Sequence, residues 1–289
     1  MITGEGSLES KIFELIKEYK NFSKKQKAIY DYIIKNAYNI SMMSAAQLAA
    51  AVNVGEATLF RFLKQIGYET YADLKADVHT YALNEMNSNY LQLITKLKSD
   101  KENGPGATIR RSIDLLEKTV SPGTLQLINQ AVELMLNAPQ TGVLGLRSSK
   151  AVALYFEYTL LPFFPKISQL SHDELYLYDR LQHFTKDSAV FLIAGWPGTK
   201  SALNAARYCA EAGIKIILLT NNPTNPIAPL ADVAITVLNP RDYYSIVPFV
   251  AVLEAIAVEI AFRMSPVSDE RLKNIGEVLA RYGIVDGSK

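Results

Sequence analysis

A short run of residues near the middle of the chain has the composition of a phosphate-binding loop. The run Gly145-Leu-Arg-Ser-Ser-Lys150 follows an apolar segment and leads into a segment with helical spacing. A loop that enters a helix offers an anion backbone N–H groups, the positive end of the helix dipole and, here, serine hydroxyls. The candidate ligand residues in this loop are Gly145, Arg147, Ser148, Ser149 and Lys150. The same run is equally compatible with an ordinary strand–helix turn whose helix is capped by Ser148.

A second informative run extends from Ser44 to Ile66, where the spacing predicts two short helices across a tight turn. Ala49 is the small residue needed where two helices approach closely. Asn53 sits at the turn, where asparagine tolerates a positive φ. The apolar residues that would fill the core are Leu48, Val52, Val54, Leu59 and Phe62. Together these features indicate a helix-turn-helix, although a generic helical hairpin would show the same pattern.

The second helix of this pair would present its outward residues to a DNA groove. If it begins near Glu56, Arg61 can bond guanine in bidentate fashion and Glu56 can accept from cytosine. Lysines suit the phosphates, which position a protein without specifying sequence. Thr58 fits either role, and Phe60 could instead pack inside the domain. The candidate DNA-contacting residues are Lys24, Lys25, Lys27, Ser44, Glu56, Ala57, Thr58, Phe60, Arg61 and Lys64.

The distribution of charge agrees with DNA as the partner. The net charge of the chain is only +1, but the segment from Lys20 to Tyr68 carries seven lysines and arginines against two carboxylates. A local basic surface is the electrostatic footprint of phosphate-backbone contact. On charge alone, a solvated lysine-rich helix face is the favoured explanation. Combined with the helix-turn-helix pattern, the charge favours binding of double-stranded DNA.

Composition excludes several other classes of protein. The 289 residues are 49% hydrophobic and 20% charged, the balance of a folded soluble protein. The single cysteine, Cys209, forms no intrachain disulfide and suits the cytoplasm. The histidines and the cysteine have no metal-ligand spacing, so we expect neither a metal nor a cofactor. The N-terminus does not resemble a signal peptide, and the apolar run Ile246–Phe262 contains two glutamates, so we expect no membrane partner.

Two kinds of pattern divide the chain. Up to about Val78 the pattern is helical, and Ser23 with Gln26 forms a predicted capping box. After Pro139, short apolar segments alternate with helical ones, which indicates a parallel sheet with helices on both faces. The predicted strands are Thr141–Leu146, Lys166–Leu170, Ala189–Ala194, Lys215–Thr220 and Val233–Leu238. The predicted helices of this half are Ala107–Thr119, Thr124–Asn137, Ser149–Leu161, Glu174–His183, Thr199–Ala212, Asp242–Arg263 and Ser268–Tyr282.

We therefore expect a multidomain chain. An all-α helix-turn-helix domain would occupy residues 1–82, and a linker helix with a hinge would occupy residues 83–106, where the polar run Ser99–Gly106 reads as a loop. A three-layer α/β domain with a parallel sheet would occupy residues 107–289.

The N-terminal motif resembles that of a known family. The runs FSKKQKAIYDYII and AAQLAAAVNVGEATLFRFLKQIGYETYADLK are similar to the DNA-binding domain of RpiR-type transcriptional regulators. The resemblance covers about Asn21 to Val78. Gly55 departs from it, because the family usually has a serine that caps the recognition helix. Glycine serves as an N-cap at a cost of only a few tenths of a kcal/mol.

The second half resembles the sugar isomerase (SIS) domain that follows in this family. The similarity runs from about Thr124 to Val258 and includes VLGLRSSKAVALYF, DSAVFLIAGWPGTKSAL and AGIKIILLTNNPTNPIAPLADVAITV. The family's usual Ser-x-Ser-Gly-x-Thr is replaced here by the run Ala194–Ser201, which puts phosphate binding by this second loop in question. Thr199 and Ser201 can still offer hydroxyls, while Trp196 could stack on a ligand or pack.

The resemblance implies a DNA-binding regulator controlled by a sugar phosphate bound to its SIS domain. Two alternatives stay open. One is an SIS-type isomerase, for which Glu254, His172 and His183 are the available acid–base groups without a spacing that links them. The other is a regulator whose SIS domain only dimerises. We expect a homodimer or higher homo-oligomer, because helix-turn-helix proteins usually read two half-sites and the apolar helix Tyr243–Phe262 has surface to spare for an interface.

Overall fold

The computed structural model describes residues 22–36, 40, 43–80, 104–195, 198–238 and 245–285. The chain divides into two compact units, Met1–Asp100 and Lys101–Lys289, called here the N-terminal and C-terminal units. Residues 83–103, most of the predicted linker, lie outside the described residues. In the described part of the chain, no helix is long and apolar enough to cross a membrane.

The N-terminal unit is helical, as predicted. Its helices are α1 (Lys24–Lys35), α2 (Ala45–Ala51) and α3 (Glu56–Gln65), and residues 71–80 are helical as well. The predicted capping box at the start of α1 is confirmed, since the Ser23 hydroxyl accepts from the Gln26 N–H and the Gln26 side chain accepts from the Ser23 N–H. One apolar cluster holds the helices together; it includes Phe22, Ile29, Ile33, Leu48, Leu59, Phe62, Leu63, Leu74 and Val78.

The C-terminal unit is built on a five-stranded parallel sheet. The strands are β1 (Thr141–Gly145), β2 (Ile167–Gln169), β3 (Ala189–Ile193), β4 (Lys215–Thr220) and β5 (Val233–Thr236). Their order across the sheet is β2-β1-β3-β4-β5, and every neighbouring pair is parallel. All five strands were predicted, but several end one or two residues earlier than the apolar runs suggest.

Seven helices of this unit fall within the described residues, namely α4 (Pro105–Thr119), α5 (Pro122–Asn137), α6 (Ser148–Leu160), α7 (Leu177–Leu181), α8 (Lys200–Glu211), α9 (Val247–Arg263) and α10 (Val267–Arg281). The prediction was wrong at α5, because Pro122 begins this helix instead of preceding it. Ser121 caps the helix there, and proline suits the first position because that N–H has no helical partner. It was also wrong at α7, where a turn around Asp173, whose carboxylate accepts from the Leu175 N–H, delays the helix to Leu177.

The helices cover both faces of the sheet, which confirms the three-layer α/β architecture. Alternate strand residues such as Val143, Phe191 and Ile217 join the apolar faces of α5, α6 and α9 in one core. The intervening residues, such as Leu192 and Leu218, are buried towards the opposite face. There α8 packs on β3 and β4 and buries its small residues and Cys209, the single cysteine of the chain.

Candidate functional site

The turn between α2 and α3 has the predicted helix-turn-helix geometry. Asn53 has a φ of 53°, in the left-handed region that asparagine tolerates, and the next residue, Val54, donates its N–H back to the Ala49 carbonyl at 2.9 Å. Ala49, Leu48 and Leu59 are buried where the two helices meet. The helix contact at Ala49, the turn at Asn53 and the buried positions of Leu48 and Leu59 therefore agree with the sequence prediction.

The two helices of this pair differ in how their first turns are capped. Ser44 forms a capping box with Gln47: its hydroxyl accepts from the Gln47 N–H at 3.2 Å, and the Gln47 side chain accepts from the Ser44 N–H at 2.8 Å. Helix α3 begins at Glu56, as expected. Gly55 occupies its cap position with extended backbone and provides no side-chain hydrogen bond. The start of α3 thus keeps N–H groups that no side chain caps.

The outward face of α3 is free of the protein core. Glu56, Ala57, Arg61 and Lys64 are exposed, and Phe60 retains 37% of its surface, so its outward placement is confirmed. Thr58 is half-buried. Among the described residues, neither Arg61 nor Lys64 forms an ion pair. The cationic side chains of α3 are therefore available to an external anionic partner.

The first turn of α1 is tied to the far end of α3. The Gln26 side chain in the first turn of α1 donates to the Gln65 side chain, the last residue of α3, at 2.5 Å. Lys24 and Lys25 on the same turn are exposed, and Lys27 is half-buried. Because this contact holds the two helices together, the lysines of α1 lie beside the end of α3, where phosphate contacts would flank a groove-bound helix.

In the C-terminal unit, the strand order creates a topological switch point between β1 and β3. The chain leaves β1 towards β2 on one side and continues from β3 towards β4 and β5 on the other. Gly145, the last residue of β1, pairs with Ile193, the last residue of β3, so the two following loops begin side by side. Open α/β sheets bind ligands outside the carboxyl ends of their strands at such a switch point.

The loop after β1 makes an unusually tight entry into α6. A Cβ on Gly145 would lie 2.4 Å from the Ser149 carbonyl oxygen, so only glycine fits there. Arg147, at a φ of 54°, occupies the cap position of α6 and gives no side-chain cap. The alternative of a turn capped by Ser148 is therefore wrong, since Ser148 is the first residue of the helix. The side chains of Arg147 and Ser148 are exposed at this helix start.

The other two residues predicted in this loop face different neighbours. Ser149 is only 4% exposed, and its hydroxyl accepts the N–H of Gly195, in the loop after β3, at 3.4 Å. Lys150 extends sideways and donates to the His172 carbonyl, after β2, at 2.9 Å. Ser149 thus connects two loops, while Arg147 and Ser148 are the residues most open to a ligand.

The loop after β3 is only partly described, because Trp196 and Pro197 lie outside the described residues. Thr199 caps α8, with its hydroxyl accepting from the Ala202 N–H at 3.1 Å. Ser201 is half-buried in the first turn of α8. The Thr199 hydroxyl therefore accepts from its own helix and keeps its hydrogen for donation.

Three buried polar residues at this edge of the sheet were missed by the sequence predictions. Ser171 follows β2, Thr220 ends β4, and Asn225 lies five residues further on. Ser171 accepts the N–H of Gly145 at 2.8 Å, while Thr220 and Asn225 both donate to the Ala194 carbonyl. The signal that could have found them is a polar residue at or soon after the end of a buried parallel strand.

The acid–base candidates of an isomerase do not come together. The His172 carbonyl is bound by Lys150, after the end of β1, whereas the His183 carbonyl is bound by Gln140, just before the start of β1. The two histidines therefore lie at opposite ends of that strand. Glu254 lies on α9 and accepts from the Tyr155 hydroxyl at 2.5 Å, which raises the pKa of Tyr155.

Neither the charges of a pocket near β4 nor the distribution of metal-ligating side chains provides a second site in the described part of the chain. A pocket of about 260 Å³ lies at the amino end of β4 and is lined in part by Gly213, Lys215 and Asp232. Its two charged groups neutralise each other at 2.9 Å, and the pocket is at the opposite end of β4 from the loops described above. Among the described residues, no cluster of three or more histidine, cysteine or carboxylate side chains could hold a metal ion.

A helix-turn-helix with an exposed cationic face, joined in one chain to a doubly wound parallel sheet, defines the class of two-domain DNA-binding regulators. Residues 10–85 match the family model of the helix-turn-helix domain, rpiR family, and residues 134–259 match that of the SIS domain. Together the matches cover well over half of the chain, which belongs to the RpiR-type transcriptional regulators.

Individual relatives agree with this assignment. The chain is 23% identical to the HTH-type transcriptional regulator HexR of Pseudomonas aeruginosa over 89% of this chain and 91% of HexR. The structure of the Vibrio vulnificus NanR protein complexed with ManNAc-6P matches 94% of this chain and 98% of NanR, with a TM-score of 0.66 at 19% identity. The sugar isomerase domain of an RpiR transcription factor from Sphaerobacter thermophilus matches 60% of this chain and 98% of that domain, with a TM-score of 0.55 at 22% identity.

Proposed function

We propose that this regulator binds operator DNA through α3 and that a phosphorylated sugar, bound between the loops after β1 and β3, controls that binding. The observation that carries the ligand proposal is the pairing of Gly145 with Ile193 at the switch point of the sheet. This pairing brings the loops after β1 and β3 side by side, and Arg147 and Ser148, exposed at the start of α6, would then line the crevice between these loops. An anion there would meet uncapped N–H groups, a helix dipole, a hydroxyl and a guanidinium.

DNA contact is proposed for the exposed face of α3 and for the lysines of α1. Arg61 and Glu56 would read base edges in the major groove, while Lys64, Lys24, Lys25 and Lys27 would bind phosphates. We propose that the protein acts as a homodimer in the cytoplasm, where two copies of α3 would reach two half-sites. Ligand control then requires that the sugar phosphate bind one arrangement of the dimer more tightly than another.

We further propose that the SIS domain senses its ligand without converting it. The separation of His172 from His183 along β1 supports this, and so does the hydrogen bond that occupies Glu254. A general base for isomerisation would have to lie within hydrogen-bond reach of the sugar carbons. None of these three side chains is part of the loops after β1 and β3.

The ligand proposal is tested by measuring operator affinity of the full chain with and without sugar phosphates. The operator is first selected from a random DNA library, and the panel of sugars includes ManNAc-6P, the compound bound by NanR. We expect one phosphorylated sugar to change operator affinity by about 5- to 150-fold, with no effect of its unphosphorylated form. Ser148→Ala should weaken this response and leave operator affinity without ligand intact.

Ser112→Ala provides a matched control, because Ser112 is an exposed serine on α4 whose hydroxyl donates to the carbonyl of Thr108 in its own helix. It should keep the full response. If no sugar phosphate changes operator affinity, the SIS domain serves dimerisation instead. If NMR shows the bound sugar converted to an isomer, the enzymatic alternative is correct.

A further inference from the structure

Hydrogen bonds link the four loops at the carboxyl edge of the sheet in the order of the strands. Ser171, after β2, binds the backbone of Gly145 at the end of β1. Ser149, in the first turn of α6, binds the backbone of Gly195 after β3. The carbonyl of Ala194, directly before Gly195, is bound in turn by the side chains of Thr220, which ends β4, and Asn225, which follows it. The loops that form the crevice are thus connected to a loop that does not line it.

Asn225 is the residue that anchors this last connection. Its Nδ2 donates to the Ala194 carbonyl at 3.1 Å and to the Thr220 hydroxyl at 3.0 Å, and its Oδ1 accepts the Ile227 N–H at 2.9 Å. Asn225 is 5% exposed. The Thr220 hydroxyl accepts from Asn225 and from the Asn222 N–H, and it donates its own hydrogen to the same carbonyl at 2.7 Å.

Two donors on one carbonyl fix the orientation of the Ala194–Gly195 peptide. The N–H of Gly195 belongs to that same peptide and points to Ser149, in the helix that the ligand loop enters. A peptide group is planar, so rotating its carbonyl also rotates its N–H. The side chain of Asn225 therefore sets the direction of a backbone donor on the opposite side of the β3 loop.

We propose that Asn225 is a positioning residue of the ligand site: it holds the Ala194–Gly195 peptide so that the β3 loop meets the start of α6 at Ser149. The inference rests on the proposed function, because it assumes that the ligand lies between these two loops. In this proposal Ser149 joins the two loops by accepting the Gly195 N–H and does not contact the ligand. Binding sites gain affinity when supporting residues hold the contacting groups in place before the ligand arrives.

Aspartate at position 225 is the sharpest test, since it has almost the same shape as asparagine. Asn225→Asp keeps the acceptor for the Ile227 N–H and replaces the donor by an oxygen that faces the Ala194 carbonyl. In the full chain without ligand, we expect the Gly195 amide to exchange its hydrogen about tenfold faster or more, as measured by NMR or by mass spectrometry of a peptide that contains it.

Inorganic phosphate is the probe for the consequence at the ligand site. We expect Asn225→Asp to raise the dissociation constant for phosphate about tenfold, as measured by calorimetry. Ser148→Ala should weaken phosphate binding as well but leave the exchange of the Gly195 amide unchanged, because Ser148 has no part in the connection between the loops. This contrast separates a positioning residue from a contacting one.

Two further variants guard against general loss of structure. Thr220→Val keeps the shape of the side chain while removing one donor to the Ala194 carbonyl. If Asn225→Asp does not fold, Thr220→Val should still speed exchange of the Gly195 amide and weaken phosphate binding. Ser268→Ala removes a buried hydroxyl that donates to the Ala261 carbonyl at the junction of α9 and α10, and should affect neither measurement.

The outcomes separate the two proposals. Unchanged exchange at Gly195 in both Asn225→Asp and Thr220→Val overturns the positioning role, even if the wild-type chain binds phosphate. Faster exchange with unchanged phosphate affinity overturns it as well, because the ligand then does not depend on the β3 loop. A wild-type chain that fails to bind phosphate contradicts the ligand site itself, and with it the role of Asn225.

Discussion

Arg61 and Lys64 lie three residues apart on α3, yet their side chains suit different tasks. Arg61 is near the middle of the exposed face and carries a planar guanidinium, which matches the two acceptors of guanine in the major groove. Lys64, in the last turn, has a mobile point charge that suits a phosphate. At the proposed ligand site, the residue type is the same and the exposure differs, since Ser148 is exposed and its neighbour Ser149 is buried.

Arg61→Ala should reduce binding to the selected operator by about 1–3 kcal/mol and relax the preference at one base pair. Lys64→Ala should weaken binding to all DNA sequences alike and lower the salt dependence of affinity. Both effects are measured by fluorescence anisotropy over a range of salt concentrations, with Arg281→Ala on α10 as a control of equal charge. If Arg61→Ala keeps both affinity and selectivity, Arg61 does not read bases.

The sequence predicted the exposure of individual residues correctly on α3 but not after β1. Exposure on α3 follows from helical periodicity once the start at Glu56 is known, so the outward residues were found correctly. In the loop after β1, the sequence named both Ser148 and Ser149 as candidate ligand residues and did not distinguish the exposed one from the buried one. Ser148 and Ser149 are consecutive in a helix and point about 100° apart, and the positive φ of Arg147 decides which of them faces inward. No pattern in the sequence specifies that dihedral angle.

At the scale of elements, the caps explain why the short helices begin where they do. Helix α2 has seven residues and begins with a complete capping box, whereas α3 begins at Glu56 and its cap residue, Gly55, has no side chain to offer. The backbone of Gly55 is extended, and a Cβ built there meets no atom within 4 Å. A serine would therefore fit this position and supply the missing acceptor.

Gly55→Ser should stabilise the N-terminal unit by about 0.5 kcal/mol, through the new cap and through the reduced freedom of the unfolded chain. Urea unfolding of the full chain, followed by a probe in the N-terminal unit, measures the change. Gly67→Ser is the contrasting variant: Gly67 has a φ of 87°, so a side chain there should destabilise the unit. A loss of stability in Gly55→Ser would show that α3 needs its uncapped N–H groups for another contact.

Elements were predicted better than the hydrogen bonds between them. Strands buried on both faces are almost continuously apolar, and for that reason β3 and β4 stand out in the sequence. The contacts of Ser171, Thr220 and Asn225 depend on which strands are neighbours. The order β2-β1-β3-β4-β5 brings these loops together, and this order is not written in any single segment.

At the scale of the whole molecule, the outer face of α9 is the best candidate for the proposed homodimer. The predicted apolar helix is present as Val247–Arg263, and its inner face belongs to the core of the C-terminal unit. Its outer face carries Val258 and Phe262, which are one turn apart and 68% and 76% exposed. Neighbouring apolar side chains on an exposed helix face are typical of subunit interfaces.

Phe262→Glu should therefore shift the protein from dimer to monomer, because it places a charge on both sides of a two-fold interface. Light scattering after gel filtration measures the mass over a range of protein concentrations. Leu175→Glu is the matched control, since Leu175 is equally apolar and exposed but lies outside α9, in the turn before α7. A dimer that survives Phe262→Glu unchanged would place the interface elsewhere.

The burial of Cys209 makes the native chain well suited to site-specific labelling. Removal from water raises the pKa of this thiol to about 12, so at neutral pH it has almost no thiolate, the form that attacks maleimides. The folded chain should stay unlabelled until it is denatured. A cysteine introduced at an exposed position of the N-terminal unit would then carry the only dye on each copy. In the proposed homodimer, energy transfer between two such dyes would report how far apart the two copies of α3 stand before and after a sugar phosphate is added.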